Sequence, residues 1–128
     1  MHWVFLLAAL GGAFGATLRY FVSKITPSRF LMWESFPLGT FSVNLIGCFV
    51  IGFAGHLVVK SMLGDKMSVF FITGVLGGFT TFSSFGLDTL KLLQKQAITE
   101  ALVYILGSNI LGLLCVALGW GLAKLVHY

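Results

Sequence analysis

Charged side chains are scarce in this sequence. They make up 9% of its 128 residues, whereas soluble domains average about 25%. Hydrophobic residues account for 58% of the chain, and the mean hydropathy is +1.00. A soluble fold of this length would lack enough charge to cover its surface, so the composition predicts a membrane protein.

Cysteine and histidine are also few, and neither occurs in a site pattern. Cys48 and Cys115 lie in separate apolar stretches without a CxxC or Cys/His spacing, which favours small packing residues over a disulfide or a metal site. The three histidines are isolated, and no Ser/His/Asp arrangement indicates an enzyme. Because basic residues do not cluster, the net charge of +4 predicts residues that flank membrane spans, not a nucleic-acid site.

Four apolar stretches meet the requirement of about 20 residues for a helix that crosses a bilayer. They cover about residues 2–25, 37–59, 67–93 and 97–125, and they predict a single transmembrane domain over residues 1–128. A cleaved signal peptide is the alternative for the first stretch. No Lys or Arg precedes that stretch and it exceeds the usual apolar length of a signal, which favours a retained helix.

Lysines and arginines are almost evenly divided between the two sides of such a domain. Three fall on the side of the N-terminus and four or five on the other, so the positive-inside rule scarcely selects an orientation. This weak bias suggests, as a hypothesis, insertion in both orientations and antiparallel pairing.

Carboxylates are missing from the middle of the predicted spans. Glu34, Asp65, Asp88 and Glu100 fall in connectors or near span ends. Proton-coupled pumps and acidic cation pores need carboxylates within the membrane. Their absence argues against a small proton-coupled multidrug exporter, which otherwise has a similar length and number of spans.

Neutral hydrogen-bonding side chains near mid-depth occur instead in three of the four predicted spans. Such groups are costly in hydrocarbon unless paired, so they predict either a shared polar pathway or bonds that hold helices together. A pathway of neutral donors suits an anion, as do the positive ring edges of Phe82 and Phe85. The set comprises Thr40 and Asn44 in the second span, Thr80, Thr81, Ser83 and Ser84 in the third, and Tyr104, Ser108 and Asn109 in the fourth.

The stretch GGFTTFSSFG, residues 77–86, places adjacent glycines and β-branched threonines inside the third span. Glycine costs about 1 kcal/mol relative to alanine in a helix interior, so the stretch predicts a break at mid-membrane. Carbonyl groups freed at such a break are tolerated inside protein or along a water-filled cavity, and in broken transporter helices they coordinate Na⁺. The residues alone leave the identity of the ion open.

Three segments, GGAFGATLRY, PLGTFSVNLIG and GVLGGFTTFSSFGLDT, resemble the signature segments of the small fluoride channels of the Fluc or CrcB family. The resemblance covers all four spans in order and spacing. It implies an all-α membrane protein with four transmembrane helices, the third broken mid-membrane, in an antiparallel dual-topology dimer. It also implies fluoride-selective passive export across the bacterial inner membrane, which lowers cytoplasmic fluoride toxicity.

The same resemblance implies roles for single residues. Backbone carbonyls of Gly77 and Thr80 would hold a structural Na⁺ at the dimer interface, and Arg19 matches the arginine of the first span. The fluoride pathway would contain the pore asparagine Asn44. Its other members would be the pore phenylalanines Phe82 and Phe85, the fourth-span residues Tyr104 and Ser108, and the third-span hydroxyls of Thr81, Ser83 and Ser84.

A few positions depart from the family pattern. Gly112 replaces the hydroxyl usually found one turn after Ser108. Ser84, Gly86 and Asp88 stand where many relatives read TFSTFS followed closely by Glu. Because some members work only as heterodimers, the partner is either a second copy of this chain or a related chain. Two other hypotheses remain: the multidrug exporter, and a non-transporting subunit whose polar residues only hold helices together.

Overall fold

Four apolar helical segments, each long enough to span a membrane, make up the fold. The computed structural model describes residues 2–27 and 29–127, so Met1, Ser28 and Tyr128 of the predicted domain lie outside the described residues. Within those ranges no strand occurs apart from one isolated bridge in the first connector. The prediction of an all-α protein with four candidate membrane spans is confirmed.

The third span, unlike the others, is interrupted. Helices α1 (His2–Ile25) and α2 (Leu38–Val59) are continuous. The third span consists of α3 (Asp65–Ser68), a π-helix (Val69–Leu76), a short α4 (Gly77–Phe79) and α5 (Phe82–Gln94). The fourth span, α6, is the single helix Ile98–Val126.

The break lies at the threonines that follow the adjacent glycines. Thr80 and Thr81 are extended, with ψ angles of 153° and 122°, whereas Gly77 keeps helical angles of −63° and −35°. Glycine weakens a helix without preventing it. The interruption falls on two β-branched residues, and a side chain of α2 binds the backbone of the second.

Glycines allow α1 to lie directly against the backbone of the third span. A side chain on the buried Gly11 or Gly15 would collide with backbone atoms of the π-helix. From the other side, a Cβ on Gly74 would lie 2.8 Å from the Cα of Gly11, and one on Gly78 would lie 2.5 Å from the Gly12 carbonyl oxygen. The spacing of four places these glycines on one face of each helix and so allows close helix packing.

A second close pair is formed by α2 and α6. Gly52 of α2 lies against the backbone of Val116, and Gly119 of α6 lies against the backbone of Phe49, with no room for a Cβ at either glycine. The fold therefore consists of two tightly packed pairs, α1 with the first half of the third span and α2 with α6.

Helix α5 is positioned by an aromatic cluster beside the first connector. Phe36 and Tyr104 are fully buried, and their rings meet edge to face with centroids 5.6 Å apart. Phe85 of α5 packs on Tyr104 of α6 with a centroid distance of 5.0 Å. This cluster places the start of α5 against α2 and α6.

Candidate functional site

Asn44 of α2 holds the break open. Its side-chain amide nitrogen donates to the carbonyl oxygen of Thr81 at 3.1 Å, and its amide oxygen accepts from the N–H of Thr81 at 2.9 Å. These two bonds replace the backbone hydrogen bonds that Thr81, being extended, cannot make within a helix. They also fix the orientation of the Asn44 amide, because an inverted amide would place like groups together.

Arg19 of α1 binds the other side of the break. Its Nε donates to the carbonyl oxygen of Gly78 at 3.0 Å, where an unbroken helix would supply the N–H of Phe82. One turn back, both the N–H and the hydroxyl of Thr80 donate to the Leu76 carbonyl. Residues from two different helices therefore satisfy backbone groups that the break releases.

The side chain of Thr81 begins α5. Its hydroxyl oxygen accepts the N–H of Ser84 at 3.1 Å, which is an N-cap interaction, and it lies 3.3 Å from the hydroxyl of Ser83. Within the described residues, the N–H groups of Phe82 and Ser83 donate no hydrogen bond. The first turn of α5 thus presents free donors and the positive end of its helix dipole.

Carbonyl groups are left free on the opposite side of the same break. In an unbroken helix the carbonyl of Gly77 would accept from the N–H of Thr81, which is bound to Asn44 instead. The N–H of Ser84, which would serve the carbonyl of Thr80, is bound to the Thr81 hydroxyl. Neither carbonyl accepts a backbone hydrogen bond from any residue that the structure describes.

A cavity of about 310 Å³ lies beside the break, between α2, the third span and α6. Its walls are mostly apolar, with amide and hydroxyl groups placed among them. The Ser108 hydroxyl oxygen is buried and has no hydrogen-bond partner in the described part of the chain. The lining residues are Asn44, Gly47, Cys48, Ile51, Leu76, Thr80, Thr81, Phe82, Phe85, Ser108 and Asn109.

The predicted pore phenylalanines both face this cavity. Their ring centroids lie 5.7 Å apart at an interplanar angle of 39°. Phe85 is half-buried against Tyr104, whereas Phe82 is 84% exposed in the single chain. Phe82 is therefore left largely uncovered by the rest of the chain.

The structure brings together some of the predicted pathway residues and separates others. Asn44, Thr81, Phe82, Phe85 and Ser108 all line the cavity. Three predicted residues lie outside that lining, namely Ser83, Ser84 and Tyr104. Tyr104 is fully buried beneath Phe85, and its hydroxyl donates to Oδ2 of Asp88 at 3.2 Å.

Several lining residues were not singled out from the sequence. Gly47, Cys48 and Ile51 lie three, four and seven positions after Asn44, which places them on the same face of α2. That spacing could have identified them. Asn109, which belongs to the polar set predicted in the fourth span, also lines the cavity, although its amide nitrogen donates to the Ile105 carbonyl of its own helix at 2.7 Å.

The positions that depart from the family pattern occupy two different environments. A Cβ on Gly86 would meet nothing within 4 Å. A Cβ on the buried Gly112 would lie 3.5 Å from the Cys48 sulfur, which is ordinary contact. Gly112 thus lies next to a lining residue of the cavity, in a space that accepts a small side chain.

Known proteins match this chain over most of its length. Residues 6–120 match the family described as CrcB-like protein, Camphor Resistance (CrcB). The chain is 72% identical over 124 residues to the "Fluoride-specific ion channel FluC" of Helicobacter pylori (strain P12), covering 97% of this chain and 95% of the relative. The protein of the same name from Helicobacter acinonychis (strain Sheeba) is 71% identical over 97% of this chain and 98% of its own. A third, from Methylobacillus flagellatus, is 45% identical over 94% of both chains.

Proposed function

This chain belongs to the CrcB-like family, and from that premise we propose that it is a fluoride-specific ion channel. It spans the membrane several times and lets fluoride leave the cell passively, which lowers the toxic concentration in the cytoplasm. A channel of this kind is not an enzyme. The alternative of a proton-coupled multidrug exporter is set aside, because the relatives are named as fluoride channels.

The cavity beside the break is the observation that carries this proposal. It joins Asn44, Thr81, Ser108 and the two phenylalanines in one space. Fluoride gives up its water only where other donors replace it. The donors here are neutral, so the ion is bound weakly enough to move on.

Specific hydrogen atoms are available for fluoride in this cavity. The amide nitrogen of Asn44 carries two hydrogens, and the bond to Thr81 uses one of them. The Ser108 hydroxyl has no partner among the described residues. We assign these two groups as the central donors, with the ring edges of Phe82 and Phe85 facing the ion. The N–H groups at the start of α5 add positive potential nearby.

The remaining predicted residues support the pathway less directly. Ser83 and Ser84 stabilise the first turn of α5 through Thr81. Tyr104 supports Phe85 from below while its hydroxyl is bound to Asp88. Arg19 holds the carbonyl of Gly78 and so stabilises the break.

A structural Na⁺ fits the carbonyl groups of the break. The described residues contain no group of three or more His, Cys, Asp or Glu side chains placed to hold a metal. The carbonyls of Gly77 and Thr80 are among the oxygens that the break leaves free, and unwound backbone carbonyls bind Na⁺ in other membrane proteins. When bound, the ion would be coordinated by these carbonyls and would tie chains together.

We further propose an antiparallel, dual-topology dimer in the bacterial inner membrane. Two carbonyls from one chain are fewer oxygens than a hard cation takes, so a second chain completes the set. Gly77 and Phe82 are both exposed in the single chain, where a partner would cover them. A second copy of this chain is the simplest partner, and a related chain is the alternative.

Ion efflux from liposomes that contain only this purified chain tests the function. We expect fluoride to leave within seconds to minutes while chloride stays inside. Empty liposomes and liposomes with the Asn44→Leu variant serve as controls. Chloride efflux as fast as fluoride efflux would refute the proposal, and fluoride efflux that begins only with a related chain present would assign the heterodimer.

A further inference from the structure

A second cavity, of about 560 Å³, lies where α2 and α6 end on the same side of the fold. Its lining residues are His56, Lys60, Met62, Lys124 and His127, and none of them is acidic. The fluoride site uses none of these residues. Within the described residues, neither lysine forms a salt bridge.

His56 makes this cavity more than a group of surface lysines. The side chain is 3% exposed, and its Nδ1 has no hydrogen-bond partner in the described part of the chain. Its ring meets the ring of Trp120 edge to face, with centroids 5.1 Å apart. Burying a ring nitrogen without a partner is unfavourable, so a polar group that pairs with this ring would stabilise the arrangement.

The positions of the lysines have a simpler partial explanation. Lys60 follows the last residue of α2 and Lys124 lies in the last turn of α6, where cations stabilise the negative ends of helices. That effect explains an exposed lysine at each helix end. It does not explain why the buried Nδ1 of His56, which has no hydrogen-bond partner in the described part of the chain, lies beside the same cavity.

We infer that this cavity binds a phosphate group, and that the group belongs to the headgroup of an anionic phospholipid. The cavity lies at the ends of two membrane-spanning helices, which is the depth of lipid phosphates. Basic pockets between transmembrane helices bind such headgroups. Lys60 and Lys124 supply the charge, the His56 ring supplies a hydrogen-bonding group, and Met62 supplies an apolar wall for the glycerol.

Native mass spectrometry of the purified full-length chain tests this assignment, because it counts bound lipids directly. The chain is titrated with phosphatidylglycerol, with phosphatidylcholine and with inorganic phosphate. We expect tight retention of phosphatidylglycerol. The double variant Lys60→Gln/Lys124→Gln should retain it about thirtyfold more weakly, from the attraction that each lysine contributes near a membrane surface. The matched control Lys91→Gln/Lys95→Gln, with the same loss of charge at the end of α5, should bind as the unaltered chain does.

The variant His56→Phe isolates the histidine, because it keeps a ring against Trp120 and removes the nitrogens. It should weaken retention of phosphatidylglycerol without lowering the thermal unfolding midpoint. Unchanged retention would remove His56 from the site.

The other outcomes separate the lipid from a free ion. Binding of inorganic phosphate without binding of phosphatidylglycerol would keep the phosphate site and overturn the lipid source. Equal retention of both lipids, or equal losses in the double variant and its control, would overturn the site itself. The inference does not rest on the proposed function, since fluoride efflux plays no part in the test.

Discussion

The two halves of the third span differ in how they pack and in what each presents at the break. The first half, residues 65–79, lies against the backbone of α1 through glycines and leads to the free carbonyls of Gly77 and Thr80. The second half, α5, packs on α6 through aromatic rings and begins with the free N–H groups of Phe82 and Ser83. One interruption therefore presents acceptors that suit a cation and donors that suit an anion.

This difference explains how a chain with so few charges can discriminate between ions. Formal charges in the membrane are costly, whereas a broken helix offers partial charges of both signs at the same depth. The first half, packed on α1, fixes where the carbonyls lie. The aromatic half leaves Phe82 exposed at the mouth of the cavity.

Removing the side chain of Asn44, which binds the backbone between the two halves, should have the largest effect on stability and on fluoride efflux. Asn44→Leu leaves both the N–H and the carbonyl of Thr81 without partners, which costs about 1–3 kcal/mol for each group. We expect a lower free energy of unfolding in detergent and loss of fluoride efflux. Asn109→Leu is the control for the free energy of unfolding alone, because Asn109 bonds to its own helix but also lines the cavity. Equal effects of the two variants would show that Asn44 does not hold the break.

A methyl group added to each half of the third span should change the free energy of unfolding in opposite directions. In Gly78→Ala the new Cβ would lie 2.5 Å from the Gly12 carbonyl oxygen, whereas in Gly86→Ala it would meet nothing within 4 Å. We expect Gly78→Ala to lower the free energy of unfolding by about 1–3 kcal/mol. Gly86→Ala should raise it by up to about 1 kcal/mol. Destabilisation by both variants to the same extent would contradict the difference in packing.

Ser108→Ala tests the anion side without disturbing the fold. The hydroxyl is buried and has no partner in the described structure, so its loss should not lower the unfolding midpoint. If it donates to fluoride, efflux should fall about tenfold, which corresponds to one hydrogen bond. Thr17→Val is the control, because the Thr17 hydroxyl bonds to the Ala13 carbonyl on an exposed face of α1. Undiminished efflux in Ser108→Ala would remove this hydroxyl from the pathway.

Placing a hydroxyl at position 112, beside the same cavity, should have the smallest effect on fluoride efflux. The space at Gly112 accepts a Cβ at 3.5 Å from the Cys48 sulfur. We expect Gly112→Ser to fold normally and to raise fluoride efflux about twofold, through a donor one turn after Ser108. Gly112→Ala separates the hydroxyl from the added volume. Equal efflux in the serine and alanine variants would show that this position contributes no donor.

The sequence predicts the fold well because its main signals are local. Length and hydropathy identify the spans, and glycines four residues apart indicate close packing. The stretch GGFTTFSSFG indicates an interruption, but not that it falls at Thr80 and Thr81. That detail depends on Asn44, which lies 37 residues from Thr81 along the chain.

The candidate site is less predictable for the same reason. A list of polar residues in three spans does not say which of them share a cavity. Ser83 and Ser84 are predicted pathway residues, and they lie in the first turn of α5, outside the lining of this cavity. Tyr104 lies outside the cavity lining. Two residues of α5 contact it: Phe85 packs on its ring, and Asp88 accepts a hydrogen bond from its hydroxyl. Nothing in the sequence of Val69–Leu76 predicts that this segment forms a π-helix.

Fluoride efflux in the absence of sodium tests most directly whether the two sides of the break bind ions of opposite sign. The chain is purified and reconstituted entirely in sodium or entirely in potassium salts, and atomic emission measures the sodium that remains bound. We predict that the sodium-free protein conducts fluoride at least about tenfold more slowly and recovers when sodium is restored, as expected for an ion that stabilises the conducting state. Equal fluoride efflux from protein shown to contain no sodium would contradict the account.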